Sequence, residues 1–555
     1  MGTNKVEKNT WMATSYYTAD LILHHGKIVT MDPRNSIVEA VAIKDHKILM
    51  VGTDNDVLKF KGPSTEVMDL SGRTVIPGII DSHCHPDQHA LYAYKWRHVG
   101  WPVVRTIADF LDFVSEKTRN SSPDAWFLGF GYDDRKCGGY PSIDELDRAT
   151  GGRPLFVFRT DHHIALVNRA ACRLCGIDEK TPDPPFGHFD HNPSTGKLTG
   201  LMRETAARVF FNKISENVTV NDIAEAIPPL FNMYLSYGIT SVHNSLTPSK
   251  AIQAYQILRE NEQLLLRVGI IASGREEGLV ESLIKAGIRT GFGDELVRIV
   301  GVEWCPDCST SGRTAAYYDP YVGTPALGEP SPNHGMLLYE AEDLKVRALA
   351  AHKAGLRICM DGVGDRGIDL VLNIYEEALE AYPVKDHRMR VEHCCFVTPK
   401  ILDRIKRLKV IDSSATGFMY DLGDAYIANR GSDSMKWMWP HRALIDAGVP
   451  APGHSDADVC HVNPMRGIYA LVARKTDTGQ PIGPEQAISV TEAIRAYTLL
   501  GAYAGNEENI KGSIEPGKLA DMAVLDRDIL RVPTEEIKDI CVDLTMVGGV
   551  VRYQR

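Results

Sequence analysis

No run of about 18 apolar residues occurs anywhere in this chain, so no segment reads as a membrane-spanning helix. Basic charge is also scarce. Sixty-one lysines and arginines stand against 72 acidic residues, a net charge of −11, which disfavours a nucleic-acid partner. The opening stretch, Met1 to Asn9, lacks the apolar core of a secretory signal. It also fails the myristoylation pattern, because Val6 stands where Ser or Thr is needed. There is no disulfide framework: the eleven cysteines are odd in number and scattered. Cys305-Pro-Asp-Cys308 is a C-x-x-C without a second pair, and such cysteines usually pack as small hydrophobes. The expected setting is a reducing cytoplasm. With 44% hydrophobic and 24% charged residues the composition is that of an ordinary globular protein, and 555 residues allow one large domain with additions or two to three domains.

What is present is organised around Ile76-Pro-Gly-Ile-Ile-Asp-Ser-His83-Cys84-His85. Residues two apart on a strand point to the same side, so a strand ending at His85 projects both imidazoles together. Two neutral imidazoles converging on one point suit a divalent metal, commonly zinc. The apolar run Thr74 to Ile80 before them reads as a buried barrel strand. Taken alone, an H-x-H could equally be two surface histidines.

Residues 1–18 read as a flexible tail. Residues 19–75 hold short strands separated by turn signals such as His25-Gly26 and Asp32-Pro33, and residues 506–555 return to the same pattern. Chain ends of a domain commonly lie close together, so the two stretches are expected to form one composite β-sandwich domain. Between them, residues 76–505 alternate strand-like and helical runs. The strand-like runs begin at Gly238, Leu266, Val297, Leu356, Met389, Lys409 and Val449. With the His83 strand they number eight, which predicts an α/β fold of the TIM-type (β/α)8 barrel with its site at the C-terminal strand ends. Residues from about 100 to 230 are too long for one βα connection and read as an inserted α+β subdomain that could cover the site.

These motifs resemble the amidohydrolase superfamily. Pro77-Gly-x-x-Asp81-x-His83-x-His85 and the closing Gly512-Ser-x-Glu-Pro-Gly-Lys-Leu-Ala-Asp521 carry the likeness. Three further patches resemble its type-3 branch, which includes N-substituted formamide deformylases: Arg159-Thr-Asp-His-His163 with Asn168, Thr199 to Glu204, and Ser309 to Ala316. The resemblance implies a metal-dependent hydrolase of a small molecule, with one or two ions, zinc first and manganese or iron compatible. It carries His83, His85, His393 and Asp456 over as ligands. Glu303 stands where similar proteins have lysine, and Asp361 where they have histidine; both substitutes still ligate divalent ions.

The implied chemistry is hydrolysis of a non-peptide C–N bond, an amide, by metal-bound hydroxide. Asp456 is the expected proton shuttle, His163 a catalytic and substrate contact, and Arg313 a partner for an anionic group of the substrate or, equally, for a neighbouring acid. Competing assignments make Glu303 and Asp361 ion-pair partners of Arg390 or Arg313. At the level of function the alternatives are decarboxylation or deamination on the same scaffold, or a catalytically silent binding protein. A homodimer is the expected assembly.

Overall fold

The computed structural model describes residues 18–325 and 329–555. The expected tail therefore lies, apart from Thr18, outside the described residues. Seven parallel strands form the central sheet: Ile79–Cys84, Ile239–Thr247, Arg267–Ser273, Val297–Trp304, Ile358–Gly362, Arg390–His393 and Ile411–Ser414, neighbours in sequence order. They are buried on both faces, as strands wrapped by helices must be. Helices such as Ala341–Lys353 and Asp365–Ala381 connect them.

The sheet nearly closes. Residues 450–457 run between the last strand and the first. Pro450 and Pro452 accept hydrogen bonds from Asp412 N (3.1 Å) and Ser414 N (2.9 Å). On the other side Asp456 N donates to His83 O (3.0 Å) and His85 N to Ala457 O (2.8 Å). The pairing is incomplete because neither proline has an N–H to donate to a ladder. The run expected as the eighth strand is thus present as a bridged segment and not as a full member of the sheet.

The apolar run Thr74 to Ile80 is a correction to the reading of one barrel strand. It divides at Gly78. Thr74–Pro77 pairs with Lys27–Val29 and with Met522–Leu525, whereas Ile79–Cys84 pairs with Ile239–Thr247. A Cβ at Gly78 would lie 2.2 Å from Thr240 Oγ1, so only glycine lets the chain cross between the sheets here. The receiving six-stranded sheet mixes strands from both chain ends, and a four-stranded sheet of residues 21–69 lies with it. Leu23, Val41 and Ile43 share one apolar cluster with Val524, Leu544 and Met546.

Between the first and second barrel strands, residues 97–204 build a separate six-stranded sheet with its own apolar clusters. Among the described residues no helix is long and apolar enough to cross a membrane.

A buried ion pair ties the barrel to the terminal sheets. Arg267, on the third barrel strand, donates from Nε and Nη2 to the two oxygens of Asp521 at 2.7 and 2.9 Å. Asp521→Ala leaves that guanidinium buried and unpaired, which costs about 3–5 kcal/mol. Urea unfolding should show a loss of that size. The Arg267→Met, Asp521→Leu double variant should recover a large part of it.

Candidate metal centre

Asp81 and His83 alternate along the first strand, and His85 follows directly after it at the barrel's C-terminal mouth. His83 is buried, and His85 sits at the strand's end, just before the helix Pro86–Lys95. The Nε2 atoms of His83 and His85 face the same atom, Asp456 Oδ1, at 3.3 and 3.0 Å. His83, His393 and Asp456 each bring a ligand atom within 4.8 Å of the others. Asp81 locks this arrangement: it accepts from Ser455 Oγ and from Ser455 N (3.1 Å), one residue before Asp456. Burial raises the Asp81 carboxyl to about 6 against those donors. His393 and Asp456 both have positive φ, 64° and 55°, a conformation costly for non-glycine residues and common at sites that need a side chain aimed unusually.

Groups behind the imidazoles fix their tautomers. His85 Nδ1 donates to Ser245 O (3.0 Å), leaving Nε2 with its lone pair towards Asp456. His83 Nδ1 lies 2.9 Å from Glu392 Oε2, and Glu392 is gripped by Arg390 through Nε (2.6 Å) and Nη2 (2.8 Å). Burial opposes ionisation of Glu392, but Arg390 and His83 hold it well below the usual carboxylate range. Arg390 Nη1 is in turn 3.1 Å from His243 Nδ1, and burial keeps that imidazole neutral. His454 stacks on His83 with ring centroids 4.8 Å apart. His89 bonds Tyr234 and stays outside the cluster.

Glu303 and Asp361 stand at the cluster's edge. Glu303 Oε2 accepts from Leu246 N (2.9 Å), and its Oε1 lies 4.0 Å from His83 Nδ1. Asp361 Oδ1 is 3.8 Å from His393 Nε2. Neither forms the ion pair the sequence left open, because Arg390 is taken by Glu392 and Arg313 by Glu329. Burial pushes Glu303 well above the usual range, opposed by His83 and reinforced by Asp361 and Glu392. Burial likewise works against a charge on His83, yet Glu303, Asp456 and Glu392 raise it far above an ordinary histidine.

The field around these residues therefore calls for positive charge. Glu303 Oε1, Asp361 Oδ1, Asp456 Oδ1 and His393 Nδ1 are buried with no hydrogen-bond partner. Uncompensated buried carboxylate oxygens are expensive. A divalent cation satisfies them and lets the imidazoles remain neutral, so the donor set fits a metal.

The two remaining site candidates lie elsewhere. His163 does not join the cluster. Its Nδ1 is 2.7 Å from Glu204 Oε2, and the side chain is 21% exposed on the wall of an adjacent cavity. Burial opposes its protonation, but Glu204 raises it above an ordinary histidine. Arg313 meets a neighbouring acid, the second of the two partners open to it, and so corrects the expectation of a substrate anion there. Its guanidinium is committed to Glu329 (2.8 Å), Val322 O (2.6 Å) and Asn429 Oδ1 (3.2 Å), where it ties down its own loop and is not free for a substrate anion. The three type-3 patches do converge. Arg159 bonds Asp161 (2.7 Å) and Ser311 Oγ (3.0 Å), so the inserted sheet clasps the loop after the fourth barrel strand.

Known proteins resemble this chain along nearly its whole length. The model of the family described as "Amidohydrolase family", third type, matches residues 66–553. N-substituted formamide deformylase of Arthrobacter pascens is 29% identical over 550 residues, covering 97% of this chain and 98% of that protein. Protein LONG AFTER FAR-RED 3 of Arabidopsis thaliana is 28% identical over 554 residues, covering 96% and 92%. An uncharacterized metal-dependent hydrolase from Pyrococcus horikoshii superposes with a TM-score of 0.73 at 24% identity, over 93% of this chain and 99% of that one.

Glu392 was not visible as a site residue in the sequence, and it offers a test. Glu392→Gln keeps the shape but removes the charge that orients His83. Partners of this kind are worth about 10–100-fold in metal affinity. Competition with a chromogenic chelator should show a loss in that range.

Proposed function

The chain belongs to the amidohydrolase family, which includes relatives such as N-substituted formamide deformylase that act on carbon–nitrogen bonds, and on that premise we propose that it hydrolyses an amide of a small molecule at the cluster of His83, His85, His393 and Asp456. The observation that carries this is the buried Asp456 Oδ1, faced by two imidazole Nε2 atoms and bonded by no donor. These four residues would hold a divalent cation, with Glu303 and Asp361 completing its shell. Such a cation polarises a carbonyl as a Lewis acid and makes a nucleophile of water near neutral pH.

The protein's own groups then manage protons and charge. Asp456 is placed to accept the attacking water's proton and return it to the leaving nitrogen. Against burial, His393, His83 and His85 hold its carboxyl well below the ordinary range, so it begins the cycle ionised. His163, oriented by Glu204 at Nδ1, has Nε2 to donate to the carbonyl oxygen as negative charge grows there. Glu392 and Arg390 keep His83 in one tautomer throughout.

In this reading the barrel is the eight-stranded TIM-type form, with residues 449–456 as its eighth stave, and the terminal sheets are a sandwich. Zinc is the ion, favoured by the imidazole-rich inner donors. The eleven cysteines are all free, which supports a reducing cytoplasm. A homodimer completes the reading and is checked by sedimentation mass.

Two variants test the roles. Asp456→Asn keeps shape while removing the proton acceptor, and kcat on a responsive amide should fall ~10²–10⁴-fold with the fold intact. Glu303 carries its own carboxylate where similar proteins have lysine, so turnover should not respond to added bicarbonate. Glu303→Gln should lower bound metal, read by elemental analysis. Unchanged metal and turnover would make Glu303 a structural acceptor for Leu246 N–H.

A further inference from the structure

Beside the metal cluster lies a cavity of about 1060 Å³, roomy enough for a drug-sized molecule. His163 and Glu204 form one wall. Cys305 forms another, two residues beyond Glu303 and just past the end of the fourth barrel strand. The cavity thus borders the proposed reaction centre.

Two arginines face into it. Arg208 projects from the helix Thr205–Ser215 of the inserted segment, and Arg275 from the loop just past the third barrel strand. Both residues are half-buried. Among the described residues neither guanidinium makes a hydrogen bond or a direct ion pair; Arg208 lies over the Phe211 ring, 5.7 Å from its centroid. Other arginines of the site region are paired: Arg159 with Asp161, Arg203 with Asp190, Arg347 with Asp343. Nearby carboxylates compensate the two only at a distance: burial opposes the charge on Arg275, while Cys305, Tyr339, Asp361 and Glu204 favour it, and none of them pairs directly with either guanidinium. Glu204 is held by His163 and Asp343 by Arg347, while Glu277 and Glu281 are exposed.

Two like charges on one cavity wall, neither in direct contact with a counter-ion, make that wall attractive to an anion. Burial and the neighbouring Arg275 push Arg208 down to about 10. Planar guanidinium groups match a carboxylate through paired N–H donors. The four surrounding carboxylates disfavour a dianion, so a singly charged carboxylate fits better than a phosphate. Phe186, Phe211 and Tyr339 offer apolar surface to the rest of the molecule.

We infer that this cavity receives the substrate and that Arg208 and Arg275 bind a carboxylate carried on its non-reacting part. The substrate class is then an amide that bears a carboxylate, such as an N-acyl amino acid; the site's use for hydrolysis rests on the function proposed above. The anion contact expected of Arg313 falls instead to this pair.

The test is a calorimetric titration of the metal-loaded protein with two ligands that resist hydrolysis, N-methanesulfonyl-phenylalanine and the neutral N-methanesulfonyl-phenylalaninol. Charge-assisted hydrogen bonds are worth about 1.5–3 kcal/mol, so the carboxylate should bind at least about tenfold tighter. In Arg208→Met and Arg275→Met the preference should fall below about threefold, with metal content and the alcohol's affinity unchanged. Arg208→Lys and Arg275→Lys should keep part of it. No binding of the carboxylate, equal affinity for the two ligands, or a preference that survives both methionine variants overturns the inference. Because no turnover is read, a failure to hydrolyse amides would leave this result standing, and the reverse holds too.

Discussion

One hydrogen bond holds the rest in place: Asp456 N–H to the carbonyl of His83, at 3.0 Å. With His85 N–H to Ala457 O beside it, it fastens to the first strand the segment whose other side is held by Asp412 N and Ser414 N of the seventh, and so closes the parallel sheet. In the same contact it brings the Asp456 carboxylate against the imidazoles of the first strand. The segment that makes it is poor at pairing, because Pro450 and Pro452 cannot donate. Asp81 compensates by binding Ser455 through both Oγ and N. Closure of the barrel and assembly of the site are therefore one event, and damage to either propagates to the other.

The parallel register does the remaining positioning. Asp361 lies beside Glu392 and Gly362 beside His393, so carboxylate and imidazole donors from adjacent strands arrive at the same height. Behind them, Arg390 spans Ser82 O, Glu392 and Ser413 Oγ, and it links the first, sixth and seventh strands with a single side chain. Its charge keeps Glu392 ionised and Glu392 orients His83. The cluster is thus held by electrostatics from inside the barrel and leaves its unsatisfied oxygens for a cation. The inserted segment reaches the barrel through the bond of Arg159 to Ser311, and it contributes His163 and, from the helix Thr205–Ser215, Arg208 to the neighbouring cavity.

Much of this was legible in the sequence, and the misses have identifiable causes. The His83 and His85 pair follows from strand alternation alone, and so does the side on which it points. Glu392 escaped because alternation places it opposite His393. In the structure His393 takes φ 64°, the alternation breaks, and both residues reach the centre. The crossing at Gly78 was hidden because Thr74 to Ile80 is uniformly apolar, whichever sheet each half joins. Arg313 could not be assigned because its partner Glu329 and its contact Asn429 are set by loop closure, which local pattern does not encode. Arg208 and Arg275 lie 67 positions apart on different elements, and only the fold brings them to one cavity.

The central claim is that the imidazole and carboxylate cluster exists to hold a divalent cation. Inductively coupled plasma mass spectrometry of the purified wild-type protein and of His83→Ala tests it most directly. The account predicts at least one equivalent of a divalent metal per chain in wild type and little in the variant, with both folded by circular dichroism. Metal-free wild-type protein with full hydrolytic activity, or the same metal content in both proteins, would contradict it.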